Sequence, residues 1–230
     1  MERQDLSLFE YVFCWLGNTE LLLSIIKLME DKMNLDHDIR EGGVQMILLV
    51  EDSIRFYSSV LPNLYKYVLE QSRAFATEAL NAHQATLRMR GRPKIVLARN
   101  YDEAWRLYDR YRNNTLGIIS DVRFPLHEGG PKDAMAGFKL MKQIRACDEF
   151  LPFIMESSES ENRRWAVEVN AGFVDKNSKK MSIDLRDRIE QHFGFGDLVF
   201  RDPSTGAEVV RVHNLKELQD NIFSIPEDSF

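Results

Sequence analysis

Four groups of residues in this chain are of types that could act together on a phosphoryl group: the adjacent acids Glu51 and Asp52, the aspartate Asp121, the hydroxyl pair Ser157-Ser158, and the lysine Lys176. Carboxylates gathered at one place repel each other unless a cation joins them. Mg²⁺ suits such a group, because it takes hard oxygen ligands octahedrally while keeping several waters or phosphate oxygens. A carboxylate in that setting can attack phosphorus and form an acyl phosphate, and Asp121 is the candidate nucleophile. Asp52 would ligate the metal directly, Glu51 mostly through a bound water, and the backbone carbonyl of Arg123 would supply another oxygen. The Lys176 ammonium would neutralise charge building on the phosphoryl oxygens. The Ser157 hydroxyl would donate a hydrogen bond to the phosphate once it is present. Singly, each feature is ordinary: an acidic pair is commonly a solvated loop, a lone aspartate a cap or turn residue, and a lone lysine surface charge. Their weight comes from where the chain puts them.

The groups sit at the ends of apolar runs. Residues 44–50 are near-continuously apolar, as a central parallel strand buried on both faces should be. Residues 94–98 form a second run after the turn-like Gly91-Arg92-Pro93, and 116–120, 152–155 and 172–174 form three more. Amphipathic stretches separate them, at about 53–90, 101–113, 134–147, 159–170 and 179–193. The alternation predicts an α/β fold, a doubly wound five-stranded parallel sheet with right-handed crossovers. The flavodoxin-like order 2-1-3-4-5 fits best. In such a sheet chemistry belongs at the carboxyl ends of the strands, beside the switch in strand order. Runs one, three, four and five end in Glu51-Asp52, Asp121, Ser157-Ser158 and Lys176, in the order the chemistry needs.

The first helical stretch is too long for this architecture. Ile54, Tyr57, Leu61, Leu64 and Val68 form a stripe that Phe75, Ala79 and Ala82 carry onward. About 38 residues of helix would span roughly 57 Å, so the distal part must project or fold back. Pro62 should kink it, since proline removes a hydrogen bond and clashes with the preceding turn.

Two flanks surround the core region. Residues 9–33 predict a strand from Phe9 to Leu16, then a helix opened by Asn18 with Leu22, Ile25, Ile26 and Met29 on its apolar face. Residues 198–200 and 209–212 predict a hairpin around Asp202-Pro203-Ser204-Thr205-Gly206, followed by a short helix capped by Asn214. The division is therefore 1–40, 44–193 and 194–230, with neither flank large enough to build its own core. The first flank carries too many apolar groups to leave in water, which predicts that it docks on the neighbouring domain, on the long helix, or in a symmetric homodimer.

Composition narrows the setting. The chain has 230 residues, 44% hydrophobic and 29% charged, with a formal net charge of −6, the balance of a globular protein without a basic surface for nucleic acid. Its two cysteines, Cys14 and Cys147, are too far apart for a disulfide framework and predict buried thiols in a reducing compartment. No apolar run approaches the roughly 18 residues of a membrane span, and the start lacks a secretory pattern. A cytoplasmic location is expected.

Residues 44–193 resemble the receiver domain of two-component response regulators. Ile47-Leu48-Leu49-Val50-Glu51-Asp52-Ser53 is similar to the family's first strand and acidic pair, and Ile118-Ile119-Ser120-Asp121-Val122-Arg123-Phe124-Pro125 to its phosphoacceptor strand. Gly137 stands where the family's third helix commonly begins with glycine. Pro152-Phe153-Ile154-Met155-Glu156-Ser157-Ser158 is similar to the strand ending in the switch hydroxyl, and Ala171-Gly172-Phe173-Val174-Asp175-Lys176 to the strand carrying the switch aromatic and the lysine. The resemblance implies Phe173 as the rotating aromatic, Mg²⁺ as cofactor, a histidine kinase or phosphotransfer protein as partner, and a signalling domain rather than a turnover enzyme. Departures are Asn177 in place of a proline that usually forms a cis bond, the long loop Leu126–Ala136, and the expanded first helix. Tyr11-Val12-Phe13-Cys14-Trp15 and its helix read like the last strand and helix of a preceding, degenerate receiver, with Cys14 at the lysine position; the alternative is an unrelated N-terminal extension. The C-terminal flank resembles linkers joining tandem receivers to a phosphoenolpyruvate synthase-like region.

Three other readings compete. A histidine phosphotransfer module would use His83, but such modules are four-helix bundles without strands. A receiver-like scaffold for dimerisation or docking would leave the acidic pocket inert. A haloacid-dehalogenase-like phosphatase would want a second aspartate where Arg123 stands.

Overall fold

The computed structural model describes residues 9–77, 91–193, 198–202, 204–205 and 207–212 of the chain. Ala79, Ala82, His83, the side chain of Phe75, the turn residues Pro203 and Gly206, and the helix expected at Asn214 lie outside the described residues.

The five apolar runs form one parallel sheet from β1 (Met46–Val50), β2 (Lys94–Ala98), β3 (Thr115–Asp121), β6 (Phe153–Ser157) and β7 (Gly172–Asp175). Its order is β2-β1-β3-β6-β7, the flavodoxin-like 2-1-3-4-5 arrangement once two short hairpin strands are set aside. Every residue of β1 is buried, because helices cover both faces of a parallel sheet. Alternation then sorts the strands into two cores. Leu48, Val50, Ile118, Phe153 and Met155 pack with α3 (Tyr101–Tyr111) and α4 (Ala136–Arg145), while Ile47, Leu49, Ile119, Ile154 and Val174 pack with α2 (Ile54–Thr77) and α6 (Met181–Phe193). The short α5 (Asn162–Glu168) buries only Ala166.

The stripe Tyr57, Leu61, Leu64 and Val68 faces the second core as its spacing predicts. Pro62 does not end α2, which continues to Thr77. Cys147 is exposed and Cys14 half-buried, so neither is the fully buried thiol expected.

The N-terminal flank departs from its prediction. Residues 9–16 form no strand and pair with none among the described residues. They lie along α2: the Cys14 N–H donates to Ser58 Oγ at 2.9 Å and the Tyr57 hydroxyl donates to the Val12 carbonyl. Side chains of α2 thus take up hydrogen bonds that a sheet neighbour would otherwise supply. The following helix, α1 (Glu20–Gly42), is longer than predicted and rotated from the predicted face, with Ile25 and Met29 half-buried. Leu21, Ser24, Leu28, Asp31, Leu35 and Ile39 face inward, whereas Leu22 and Ile26 are 58% and 63% exposed. Leu28 joins the core of α2 and α6, and Leu35 and Ile39 join the core of α3 and α4. The helix therefore crosses the edge strand β2 and touches both layers.

Asp31 makes that crossing specific. It is fully buried and accepts from the Ile95 backbone N–H at 3.0 Å, the Tyr65 hydroxyl at 3.0 Å, and the Arg92 guanidinium at 2.5 and 3.0 Å. An edge strand offers unpaired backbone groups to any other chain, and the Asp31 carboxylate satisfies one of them. Lys94, itself buried, completes the cluster with Asp38 at 2.6 Å.

The predicted C-terminal hairpin is present as β8 (Leu198–Arg201) and β9 (Glu208–Val212), antiparallel. Asp202 stabilises its turn by accepting from the Ser204 and Thr205 N–H groups at 2.8 and 2.9 Å.

Candidate functional site

The acids, Arg123, Ser157 and Lys176 lie at the carboxyl edge of the sheet, whereas Phe173 lies within β7. The strand ladder continues one residue past β1, the Glu51 N–H donating to the Ala98 carbonyl at 2.9 Å, and this leaves Glu51 1% exposed with Asp52 beside it at the rim. The Ser53 N–H donates to Glu51 Oε1 at 2.9 Å, where the chain turns into α2. Asp121 ends β3, with Oδ1 accepting from the Val122 N–H at 2.7 Å. A Cβ on Gly137 would run into the Asp121 carbonyl, so only glycine lets the start of α4 approach the acceptor backbone this closely.

Lys176 joins the acids. Its Nζ lies 2.5 Å from Glu51 Oε2 and 3.0 Å from Asp121 Oδ2, and it packs 4.0 Å from the centre of the Phe56 ring. Burial opposes the ammonium charge, but Glu51, Asp121 and Glu156 together hold its pKa above the ordinary lysine value. Burial, with Asp121 adding to it, pushes the Glu51 carboxyl up against the pull of Lys176. Ser157 Oγ accepts from the Glu159 N–H at 3.1 Å and the Asn162 amide at 2.9 Å, which leaves its own proton to donate. Asp121, Arg123, Ser157 and Lys176 line one cavity of about 250 Å³. Phe173 is buried in the core behind it, with the Arg163 guanidinium 5.1 Å over its ring. The Lys176–Asn177 bond is trans, like every other among the described residues.

The acids fit a divalent cation. Glu51, Asp52 and Asp121 each offer an oxygen, and these atoms lie within 4.8 Å of one another. Such a hard, anionic oxygen set suits Mg²⁺. Ammonium groups already stand where positive charge is needed, Lys176 on two of the acids and Lys132 on the third.

Two residues of this site had no assigned role in the sequence. Lys132 comes from the long loop, folded here into a hairpin of β4 (Phe124–Pro125) and β5 (Lys132–Asp133), and its Nζ sits 2.7 Å from Asp52 Oδ2. A lone loop lysine carries no signal in sequence. Glu156 lies within the buried β6 strand, fully enclosed, and no described group hydrogen-bonds its carboxyl oxygens. Burial, reinforced by Glu51 and Asp121 and opposed by Lys176, pushes it up to about 8. An acid inside an otherwise apolar strand was a visible signal.

No family model and no curated protein match the chain. Among solved structures it is similar to the non-phosphorylated receiver domain of HemR from Leptospira biflexa, at 25% identity over 63% of this chain and 94% of that one, with a TM-score of 0.40. It is similar to a response regulator receiver domain protein from Clostridium thermocellum at 17% identity, covering 65% and 94%, TM-score 0.43. A third similarity is to the CheX-CheY-BeF3-Mg complex from Borrelia burgdorferi at 17% identity, covering 66% and 92%, TM-score 0.38. The fold assignment itself rests on the strand order and the all-parallel pairing.

Proposed function

We propose that this chain is a phospho-accepting receiver of a two-component phosphorelay, with Asp121 as the acceptor. One observation carries the reading: the Lys176 ammonium bridges the Glu51 and Asp121 carboxylates at the wall of a cavity that Ser157 also lines. The Val122 N–H and Lys176 hold one Asp121 oxygen each, which orients the carboxylate before the donor arrives. An Asp121 oxygen attacks the phosphorus of the donor, the bond from phosphorus to the leaving group breaks, and the leaving group keeps the electron pair. Lys176 and the Ser157 hydroxyl meet the phosphoryl oxygens of the resulting acyl phosphate. Glu51, Asp52, Asp121 and the Arg123 carbonyl would hold Mg²⁺, which when bound neutralises charge on those oxygens. Ser157 and Phe173 form the switch pair that passes the change to a partner surface.

The donor in this reading is a histidine kinase or phosphotransfer protein in the cytoplasm, and the chain signals rather than turns over substrate. The exposed outer stripe of α1, with Leu22, Ile26 and Met33, supports a homodimer as part of the same reading. The C-terminal hairpin is taken as a linker toward an output region, of the phosphoenolpyruvate synthase-like kind its sequence resembles.

Incubation with acetyl phosphate and Mg²⁺, followed by intact mass measurement, tests the assignment. A single phosphate on wild type that is lost in Asp121→Asn is expected. No adduct on wild type, or an equal adduct on the variant, would favour an inert scaffold instead.

A further inference from the structure

Asp52 stands at the rim of the three clustered acids, and it is not bare. Lys132 Nζ contacts both of its oxygens, at 3.0 Å to Oδ1 and 2.7 Å to Oδ2. The Asp52 carboxylate is largely shielded, its side chain 13% exposed, while the Lys132 stem stays half-exposed at the rim.

The lysine is held there by local structure. Phe124, fully buried in the core, anchors β4, and Pro125 pairs with Lys132 across the hairpin. The next residue, Asp133, accepts from the Met135 N–H at 2.8 Å and from Lys139 at 2.5 Å, which fixes the far end of the hairpin to the start of α4. An ordinary surface pair joins two freely swinging side chains and contributes little. Here both partners spring from fixed backbone, and the ammonium covers the oxygens a metal would use.

We propose that Lys132 is a built-in counter-ion of the acidic site, resting on Asp52 until a divalent cation displaces it, so that it sets how much Mg²⁺ the site requires. This rests on the receiver reading, since it takes Asp52 as a metal ligand. The physical reason is charge. Without a cation, Glu51, Asp52 and Asp121 share Lys176 alone, and Lys132 relieves the repulsion that remains. A divalent ion at the same oxygens repels the ammonium, so binding must displace it. The work of breaking the pair is subtracted from the affinity.

Calorimetric titration of the full chain with Mg²⁺ at fixed ionic strength tests the idea on wild type, Lys132→Met, Lys132→Gln and Lys132→Arg. Lys132 is 45% exposed, so these changes leave the core intact. The two neutral variants should bind Mg²⁺ about fivefold more tightly than wild type, the upper end of what a partly exposed pair contributes. Lys132→Arg, which keeps the charge, should stay within about twofold of wild type. Equal affinity in wild type and both neutral variants would overturn the role of Lys132 while leaving the metal site standing, and weaker binding in the neutral variants would overturn it too. No binding heat in any of the four chains would instead remove the metal site, and this inference with it.

Discussion

Replacing Asp31 with alanine should destabilise the whole domain, although Asp31 lies in the N-terminal flank and far from the acidic site in sequence. Its carboxylate accepts four hydrogen bonds, from Tyr65, from two nitrogens of Arg92 and from the Ile95 N–H. Arg92 is 5% exposed, so the substitution strands a buried guanidinium together with a backbone N–H. Removing one partner of a buried pair costs about 3–5 kcal/mol, because the remaining charge stays desolvated. Two features moderate the loss: Glu30 lies 4.0 Å from Arg92, and Lys94 keeps Asp38. The lower end, about 3 kcal/mol, is therefore expected. Against a typical net stability of about 5–15 kcal/mol, that is a large fraction.

Urea unfolding of the full chain followed by circular dichroism measures it. With a slope of about 1–3 kcal/mol/M, the midpoint should fall by roughly 1–3 M with the slope unchanged. Asp31→Asn keeps an acceptor for Ile95 but not the charge for Arg92, so it should recover only part of the loss. Asp31→Leu combined with Arg92→Leu should recover most of it, since an apolar pair replaces a buried ion pair at little cost. The Ile95 amide should exchange faster in Asp31→Ala than in wild type. A loss below about 1 kcal/mol, the typical cost of any point substitution, would refute the view that this carboxylate clamps α1 across the edge of β2.

Other tests address the site and the surface. A hundredfold excess of Mg²⁺ over its dissociation constant should stabilise wild type by about 2.7 kcal/mol, and Asp52→Ala should show little of this in a thermal melt. Glu156 binds its proton more tightly when folded, so its contribution is fully present below the ordinary carboxylate pKa and is lost as pH rises through about 8. Across that window wild type should lose roughly 1 kcal/mol per pH unit relative to Glu156→Gln in urea unfolding, and parallel pH profiles would disprove the buried acid. Sedimentation should show a dimer for the full chain and a monomer for Ile26→Lys with Met33→Lys. Two identical profiles would remove the outer face of α1 as the contact.

Much of this protein can be read directly from its residues, and the physics explains which parts. Strands β1 and β3 are buried on both faces, so they appear as unbroken apolar runs, and the acids that end them stand out by contrast. Glu51, Asp52, Asp121, Ser157 and Lys176 were therefore legible, because strand order brings every carboxyl end to one edge. The inward face of α1 was not legible. It carries Ser24 and Asp31 beside Leu21, Leu28, Leu35 and Ile39, while Leu22 and Ile26 point outward, so hydrophobicity alone does not single out the buried side. Only the edge of β2, with its unpaired N–H and the buried Arg92, turns a charged residue into an inner one. The 9–16 segment failed as a strand for a related reason: its apolar run suits a buried strand, but the tertiary structure offers it the flank of α2. The pairing of Lys132 with Asp52 is decided last and farthest from local pattern. It depends on a hairpin anchored by Phe124 reaching across the sheet edge, a distance set by packing that no spacing along the chain records.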